Sequence, residues 1–457
     1  MLFRNAIAQL GVLAIGLALA GCAGHAAKTA AARSALDAGD PRSALKALND
    51  VLDVSSEKDL PEKTGGDNAL FLLDRSMILQ QLEQYKWSSR DLEVSDKEIQ
   101  VLDFSANAAS DIGRYMFSDS SGPYKAPAYE KLMINTMNMV NYLARSDLNG
   151  ARIEARRLSV MQKYMSDKGD KARALLGPGS YLAGFVLEKS GKPDEALRYY
   201  DEALEYGQYR SLAEPVRRLM QQSSYSSPRI RELLSQKPGS DSGAEAPKDD
   251  DGELLVIVNF GRVPAKYAKR IPIGLALTYA SGAISPFDQA RANKLALQGL
   301  VTWVNYPELG HPRGTWGQPS FMLDGQWGQL EGMVAIDQEA ARAWDDAKGA
   351  IIASAITRTL TRVVAGEGTK AIVGGKEGSS TSIIGELLSL GVQATLTATD
   401  TPDTRNWATL PARIAFGRVR VRSGTHVVKL NAAGGHKRQS VTVAPGGWAV
   451  VNLTALN

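Results

Sequence analysis

The sequence predicts a mixed fold: α-helical hairpins come first, followed by a mixed α/β region that ends in a small antiparallel β unit. Between residues 31 and 235, apolar residues recur at helical spacing in segments separated by Gly, Pro and polar turns. After residue 253, short runs rich in Val and Ile replace that pattern. The stretch 236–252, which has no apolar residue larger than Ala or Pro, predicts a flexible linker between the two halves.

Composition limits the class of protein. The chain has 457 residues, enough for two or three domains, and its 44% hydrophobic and 22% charged residues are typical of a globular protein. The formal net charge is +4, with acidic and basic residues interspersed, and no arginine-rich arm or basic–aromatic stripe appears. We therefore expect no nucleic-acid partner. The single cysteine excludes an internal disulfide framework.

The N-terminus predicts export and a lipid anchor. Residues 1–21 have the layout of a bacterial signal peptide, with Arg4 ahead of an apolar run that is too short and too rich in Ala and Gly for a permanent span. The stretch Leu-Ala-Gly-Cys over residues 19–22 resembles the lipobox of bacterial lipoproteins. This resemblance implies cleavage between Gly21 and Cys22, diacylglycerol on the thiol and an acyl chain on the new amine. An ordinary secretory peptide with a chance cysteine is the alternative.

The residue after the cysteine bears on the compartment. Lipoproteins kept at the inner membrane often carry Asp there, whereas this chain has Ala23. The resemblance therefore implies an outer-membrane lipoprotein that faces the periplasm, with exposure at the cell surface left open. Residues 22–30 are small and polar and predict a short lipidated tether. The acyl chains would bind the membrane, and no other cofactor is expected.

Four helical hairpins are predicted over residues 31–235. Each has two segments of helical periodicity around a turn. The segments begin near residues 31 and 41, 68 and 85, 132 and 151, and 179 and 193.

The fourth hairpin resembles a tetratricopeptide repeat (TPR). Small, turn or aromatic residues stand where that motif needs them: Gly184, Gly191, Ala196, Tyr200 and Ala203. The resemblance implies a TPR-like α-solenoid, in which small residues let paired helices approach and the aromatic ring fills the space between units. The other three hairpins match the motif more loosely, so an irregular helical domain with one chance match is the alternative.

The second half divides into a mixed α/β domain at 253–399 and an antiparallel β unit at 400–457. In the first, strands are predicted at 253–260, 271–279, 322–329 and 332–336, and helices at 288–299 and 338–365. In the second, about four strands are predicted at 414–422, 425–430, 440–443 and 448–453.

Two apolar segments, 350–365 and 382–398, admit two interpretations. They are near or below the ~20 residues that span a bilayer, and charges interrupt both. Helices packed in a core therefore fit better than a membrane-inserted hairpin.

Candidate binding residues lie near the end of the chain. Arg405 and Trp407 sit in a turn-rich stretch and form either a docking patch or a turn with Trp407 packed beneath it. Arg418 and Arg420 alternate with apolar residues, which predicts either a basic binding face or the solvated side of a sheet. Further aromatic and basic candidates for polymer binding are Trp303, Trp316, Trp327 and Arg422.

No catalytic constellation appears in the sequence. The four histidines lack metal-ligand spacing, no G-x-S-x-G motif is present, and Gly375-Lys376 is followed by Glu377 rather than by the Ser or Thr of a Walker motif. The sequence therefore predicts a non-enzymatic protein with no catalytic residues and no metal. An enzyme is the remaining alternative, because a glycosidase-like carboxylate pair whose members are far apart leaves no sequence motif.

Over most of its length the chain resembles a proteobacterial outer-membrane lipoprotein family with degenerate TPR-like units ahead of a C-terminal mixed domain. The segments 129–135, 150–157 and 403–411 carry this resemblance. It implies anchor, compartment and architecture but no activity. We expect a scaffold that binds envelope proteins through its helical repeats, for cell-wall synthesis, secretion or surface-structure biogenesis. The alternative is an activator or sensor whose C-terminal region binds peptidoglycan or another envelope polymer.

Overall fold

The computed structural model describes residues 24–104, 124, 126–168, 175–236, 251–299, 301, 303–373 and 402–457. The predicted signal peptide and Cys22, most of the predicted linker, and the apolar segment 382–398 lie outside the described residues.

The described chain is a mixed α+β protein with its helices mostly in the first half and its strands in the second, as the sequence predicted. The helices of the first half are α1 His25–Lys28, α2 Ala30–Asp37, α3 Pro41–Val51, α4 Asp67–Gln81, α5 Tyr85–Phe104, α6 Ala128–Ala144, α7 Leu148–Lys168, α8 Leu176–Lys189, α9 Pro193–Tyr206, α10 Ala213–Met220 and α11 Pro228–Ser235.

Helix starts follow local chemistry. The Asp40 carboxylate caps α3 by accepting hydrogen bonds from the backbone N–H groups of Arg42 and Ser43, at 3.1 and 3.0 Å. Pro41 occupies the first helical position, where a missing N–H costs nothing. Helices α2 and α3, α4 and α5, α6 and α7, and α8 and α9 pack as pairs, and successive pairs lie side by side.

The second half supplies the strands and three more helices. Their bounds are β1 Gly252–Phe260, β2 Lys266–Pro272, α12 Ile273–Tyr279, α13 Pro286–Leu297, β3 Trp303–Leu309, β4 Ser320–Leu323, β5 Gln326–Gly328, β6 Glu331–Ala335, α14 Ile336–Val373, β7 Arg413–Val421, β8 Gly424–Ala432, β9 Gly435–Val443 and β10 Trp448–Ala455.

Strand pairing joins distant parts of the sequence. The first sheet has the order β10-β1-β7-β6, with β1 parallel to β10 and antiparallel to β7. A second sheet has the order β5-β4-β8-β9, and β2 and β3 form a separate antiparallel pair. Both four-stranded sheets combine strands from before and after residue 400, so strand pairing does not follow the predicted division there.

The first sheet lies between the helices and the second sheet. Every residue of β1 is buried, and successive side chains point to opposite faces. Leu255 and Ile257 belong to the core shared with the helical hairpins. Leu254, Val256 and Val258 belong to the core shared with the second sheet. The helices and both sheets therefore form three packed layers, with β1 in the middle.

The prediction of a strand over residues 271–279 is wrong. The chain forms β2 earlier, over Lys266–Pro272, paired with β3, and then turns into helix α12, Ile273–Tyr279. Pro272 precedes the helix in an extended conformation, and Ala276 is fully buried in a core formed with α14. The apolar run fits either type of element, and packing against α14 selected the helix.

Helix α14 contains the first of the two apolar segments. Its side chains Trp344, Ile352 and Ile356 are buried in a separate core with α12, α13 and β3. Among the described residues, no helix combines the length and apolar character that crossing a membrane requires.

Candidate functional site

The hairpin α8–α9 contains the residues that resemble a TPR. Ala196, Tyr200 and Ala203 are completely buried. A Cβ atom on Gly184 would lie 2.5 Å from the Tyr200 ring, so only glycine lets the ring pack against α8. Gly191 has a φ of +68° in the turn between the two helices. The five residues are thus brought together in one closely packed hairpin.

The inner helices α4, α6 and α8 are covered by the chain's own sheet. Helix α8 is buried from Leu176 to Leu187, and its Tyr181 ring stacks on Phe416 of β7 with centroids 4.5 Å apart. From α4, the Gln80 side chain accepts a 2.9 Å hydrogen bond from Thr454 of β10. The chain's own first sheet therefore covers the side of these helices that is turned toward it.

The residues predicted as a tether are partly folded onto the body. His25 is 4% exposed, lies 3.3 Å from the Asp74 carboxylate and stacks on Phe71 with ring centroids 5.0 Å apart. The backbone N–H of Ala26 donates to Thr404, 3.1 Å away. Residues 25–30 therefore belong to docked helices rather than to a free tether.

Arg418, a predicted binding residue, is instead the centre of a buried ion cluster. Its guanidinium donates to both oxygens of Glu253, at 2.5 and 2.9 Å, and to Glu188 at 2.7 Å. The Tyr200 hydroxyl accepts a further bond at 2.8 Å. The side chain is 1% exposed, because β7 lies against α8 and α9. Lys189 also pairs with Glu253. The prediction of a basic binding face is therefore wrong at Arg418.

The cluster sets the charge states of its members. Burial alone would raise the pKa values of Glu253 and Glu188, but the Arg418 guanidinium and the Lys189 ammonium outweigh it and hold both below the usual range. Burial likewise opposes the charge on Arg418, yet the two carboxylates raise its pKa. The group stays ionised because its charges compensate one another.

Arg405 and Trp407, the predicted docking patch, are buried and bind the chain itself. The Trp407 indole donates to the carbonyl of Leu73 at 2.9 Å, and its backbone N–H donates to the Glu130 carboxylate at 3.0 Å. Arg405 pairs with Asp403 at 2.8 Å and is 4% exposed. Segment 403–411 thus docks on α4 and α6. The patch is internal, as the turn-with-buried-Trp interpretation predicted for Trp407.

The remaining binding candidates are at the surface or half-buried. Arg420 is half-buried, 3.9 Å from Glu214. Trp303, Trp316 and Trp327 are 40, 66 and 71% exposed.

One surface row crosses the second sheet. Trp327 lies opposite Met322, Met322 opposite Lys429, and Lys429 opposite Arg438. Directly opposed residues share a face of a sheet, and this face points away from the core that contains Phe321 and Leu430. Trp327, Lys429 and Arg438 are exposed. The row therefore combines an aromatic ring with two cations.

A basic cavity of about 450 Å³ lies between α2 and the loops that flank β2 and β3. Arginine and lysine side chains dominate its charge: Arg33, Arg262, Lys266 and Arg313 line it, with Asp37 as the one carboxylate in the lining. The sequence analysis did not find this site. These residues are up to 280 positions apart and form no local motif.

Comparison with protein-family models, with curated proteins and with solved structures finds no match for this chain.

Proposed function

We propose that this chain is a non-enzymatic, lipid-anchored lipoprotein of the outer membrane that faces the periplasm and acts as a scaffold for an envelope assembly. In this proposal the TPR-type hairpins hold the sheets in position and carry the surface for protein partners. The observation that carries it is the continuous core between hairpins and first sheet, to which Leu182, Ile257 and Phe416 all belong. Such a core gives two surfaces a constant relative position, which a scaffold requires.

The docked N-terminal segment determines how far a lipid anchor at Cys22 would lie from the folded body. Helix α1 begins three residues after Cys22, and extended chain covers at most about 3.3–3.6 Å per residue. A lipid on Cys22 would therefore hold the folded body within about 10 Å of the bilayer surface.

Replacing Cys22 by serine tests the anchor. We expect the variant to leave the outer-membrane fraction and to collect in a soluble or unprocessed pool, because the acyl chains supply the membrane affinity. Fractionation of cells followed by immunoblotting measures this. The neighbouring substitution Ala23→Ser, which keeps the thiol, should fractionate like the wild type. Unchanged outer-membrane fractionation of Cys22→Ser would contradict lipidation.

The protein-binding surface that we propose is the outer face of α7. Ile153 and Val160 are 52 and 70% exposed and lie seven residues apart, on one side of the helix. Arg156 is exposed between them. This pattern fits an envelope protein that presents an apolar patch rimmed by carboxylates.

In-cell crosslinking followed by capture from solubilised outer membrane tests this surface. We expect reproducible protein partners with the wild type and their loss with the double variant Ile153→Glu, Val160→Glu. The matched control is Leu297→Glu, which changes a side chain that is 91% exposed on α13. Partners that remain bound to the double variant would contradict the proposed surface.

The second candidate function is polymer binding through the row Trp327–Met322–Lys429–Arg438. An exposed ring beside two cations suits an anionic envelope polymer such as peptidoglycan. In the same capture experiment, cell-wall fragments retained by the α7 double variant and lost from Trp327→Ala would favour this function over the protein scaffold.

A further inference from the structure

Two arginines are held opposite each other in the lining of the basic cavity. The backbone N–H of Arg262 donates to the carbonyl of Arg313 at 2.8 Å, and the reverse bond measures 3.0 Å. Residues paired in this way have neighbouring side chains, and like charges in such positions repel. The structure therefore keeps two mutually repelling cations side by side, and the carboxylate of Asp37 pairs with one of them, Arg262.

Glycines make this arrangement possible. Gly261 has a φ of +67°, and a Cβ there would lie 2.6 Å from the Arg313 carbonyl oxygen. Gly314 has a φ of +61°, and a Cβ there would lie 2.0 Å from the backbone oxygen of Asn457. The pairing of Arg262 with Arg313 thus requires glycine at position 261, and the contact of the following residue with the C-terminal Asn457 requires glycine at position 314.

The charges in the cavity are unbalanced. Arg262 is 2% exposed and pairs with Asp37, and within the described part of the chain its Nε has no hydrogen-bond partner. Burial lowers the pKa of Arg262, and repulsion from Arg33 and Arg313 lowers it further, although Asp37 opposes this. Arg262 remains charged at neutral pH.

The lysine in the cavity is also in an unfavourable environment. Burial lowers the pKa of Lys266, and Arg405 lowers it further, although Asp403 and Glu130 partly compensate. Its ammonium donates to the carbonyl of Arg405 at 3.2 Å.

We propose that this cavity binds a phosphoryl group. Guanidinium groups match the geometry of a phosphate oxyanion. Asp74 partly compensates Arg33, and Asp403 and Glu130 partly compensate Lys266, from outside the lining. Within the lining Asp37 is the one carboxylate beside four cations, and a dianion would offset that excess. The volume of about 450 Å³ lies within the range of small-molecule sites. The group comes either from free phosphate or from the headgroup of a phospholipid.

The position of the cavity favours the headgroup. Its wall includes Ala30 and Arg33 of α2, and Ala30 is eight residues after Cys22. An anchor at Cys22 would bring this wall close to the bilayer. The headgroup source therefore rests on the proposed lipid anchor, whereas binding of the phosphoryl group itself does not.

Calorimetric titration of the full chain in a non-ionic detergent tests the proposal, with inorganic phosphate as the probe. We expect saturable binding that weakens by about tenfold or more in Arg313→Gln, the loss of one charge-assisted pair. Arg313 is exposed, and the variant Arg313→Gln keeps the backbone pairing with Arg262. Arg313→Gln should therefore fold even if the substitution of the buried partner, Arg262→Gln, prevents folding. Arg217→Gln, which removes an exposed arginine from α10, should bind like the wild type.

Short-chain phosphatidylglycerol in a parallel titration separates the two sources. Binding of both probes, each weakened by Arg313→Gln, supports a headgroup site. Binding of phosphate without binding of the lipid overturns the headgroup source and leaves a site for free phosphate. No saturable phosphate binding, or equal binding by wild type and Arg313→Gln, overturns the site itself, whatever the result for Cys22→Ser.

Discussion

Replacing Arg418 by alanine is expected to lower the free energy of unfolding by about 3–5 kcal/mol, the usual cost of removing one partner from a buried ion pair. Arg418 compensates two carboxylates, those of Glu188 and Glu253, whose side chains are 8 and 4% exposed. Without the guanidinium, the cations that remain paired with them among the described residues are Lys189 and the partly exposed Arg218. The loss should be large because the charges stay buried.

Urea unfolding followed by circular dichroism measures this loss, with Arg422→Ala as the control. Arg422 is exposed just after the same strand, so its removal should change the free energy of unfolding by less than about 0.5 kcal/mol. A loss for Arg418→Ala that matches the control would show that the cluster contributes little.

The loss should also depend on pH. In the wild type the folded-state pKa of Glu253 lies below its unfolded value of about 4.3, so its contribution is complete above that value and disappears as pH falls through the folded-state pKa. In Arg418→Ala, burial loses its largest opposing interaction and only the Lys189 ammonium and more distant cations counteract it, so we expect the folded-state pKa of Glu253 to rise. The difference in the free energy of unfolding between wild type and variant should therefore become smaller as the pH falls from 7 to 5. An equal deficit at both pH values would contradict this.

Replacing Trp407 by alanine is expected to cost about 3–5 kcal/mol, the range for deleting a fully buried aromatic side chain. Trp407 has no exposed surface and belongs to the core that joins the hairpins to the first sheet. Its indole is the donor for the Leu73 carbonyl, which would lose that hydrogen bond. The substitution therefore removes both packing and a polar contact between segment 403–411 and α4.

Thermal unfolding of Trp407→Ala should show a lower Tm for helix and sheet together, because the two share a core. Circular dichroism reports the helices, and hydrogen exchange of β1 reports the sheet. Trp327→Ala, a matched change at a ring that is 71% exposed, should leave the Tm nearly unchanged. Loss of protection in β1 with unchanged helical unfolding would contradict the shared core.

Local sequence was sufficient for much of the helical half. The Asp40-Pro41 start of α3 and the turn at Gly191 depend on residues a few positions apart. The apolar run of β1 likewise predicted a buried strand, and β1 is buried on both faces. These features follow from side-chain chemistry and short-range periodicity, which a sequence displays directly.

The candidate sites depended on long-range pairing. The alternation of arginines and apolar residues around Arg418 is the same whether the guanidinium contacts water or the carboxylate of Glu188, which lies 230 residues earlier. Trp407 and Glu130 are 277 residues apart, and only the docked loop joins them. The basic cavity likewise needs the bridge between Arg262 and Arg313.

The sequence by itself thus determined the class of fold, with helices mostly in the first half and strands in the second, and local features such as the Asp40-Pro41 start of α3 and the turn at Gly191. Tertiary structure alone decided which parts of the chain cover each element. Burial depends on what packs against an element, and here the first sheet packs against α4, α6 and α8. The same packing turned the predicted basic face at Arg418 into a core ion cluster and gathered dispersed cations around one cavity.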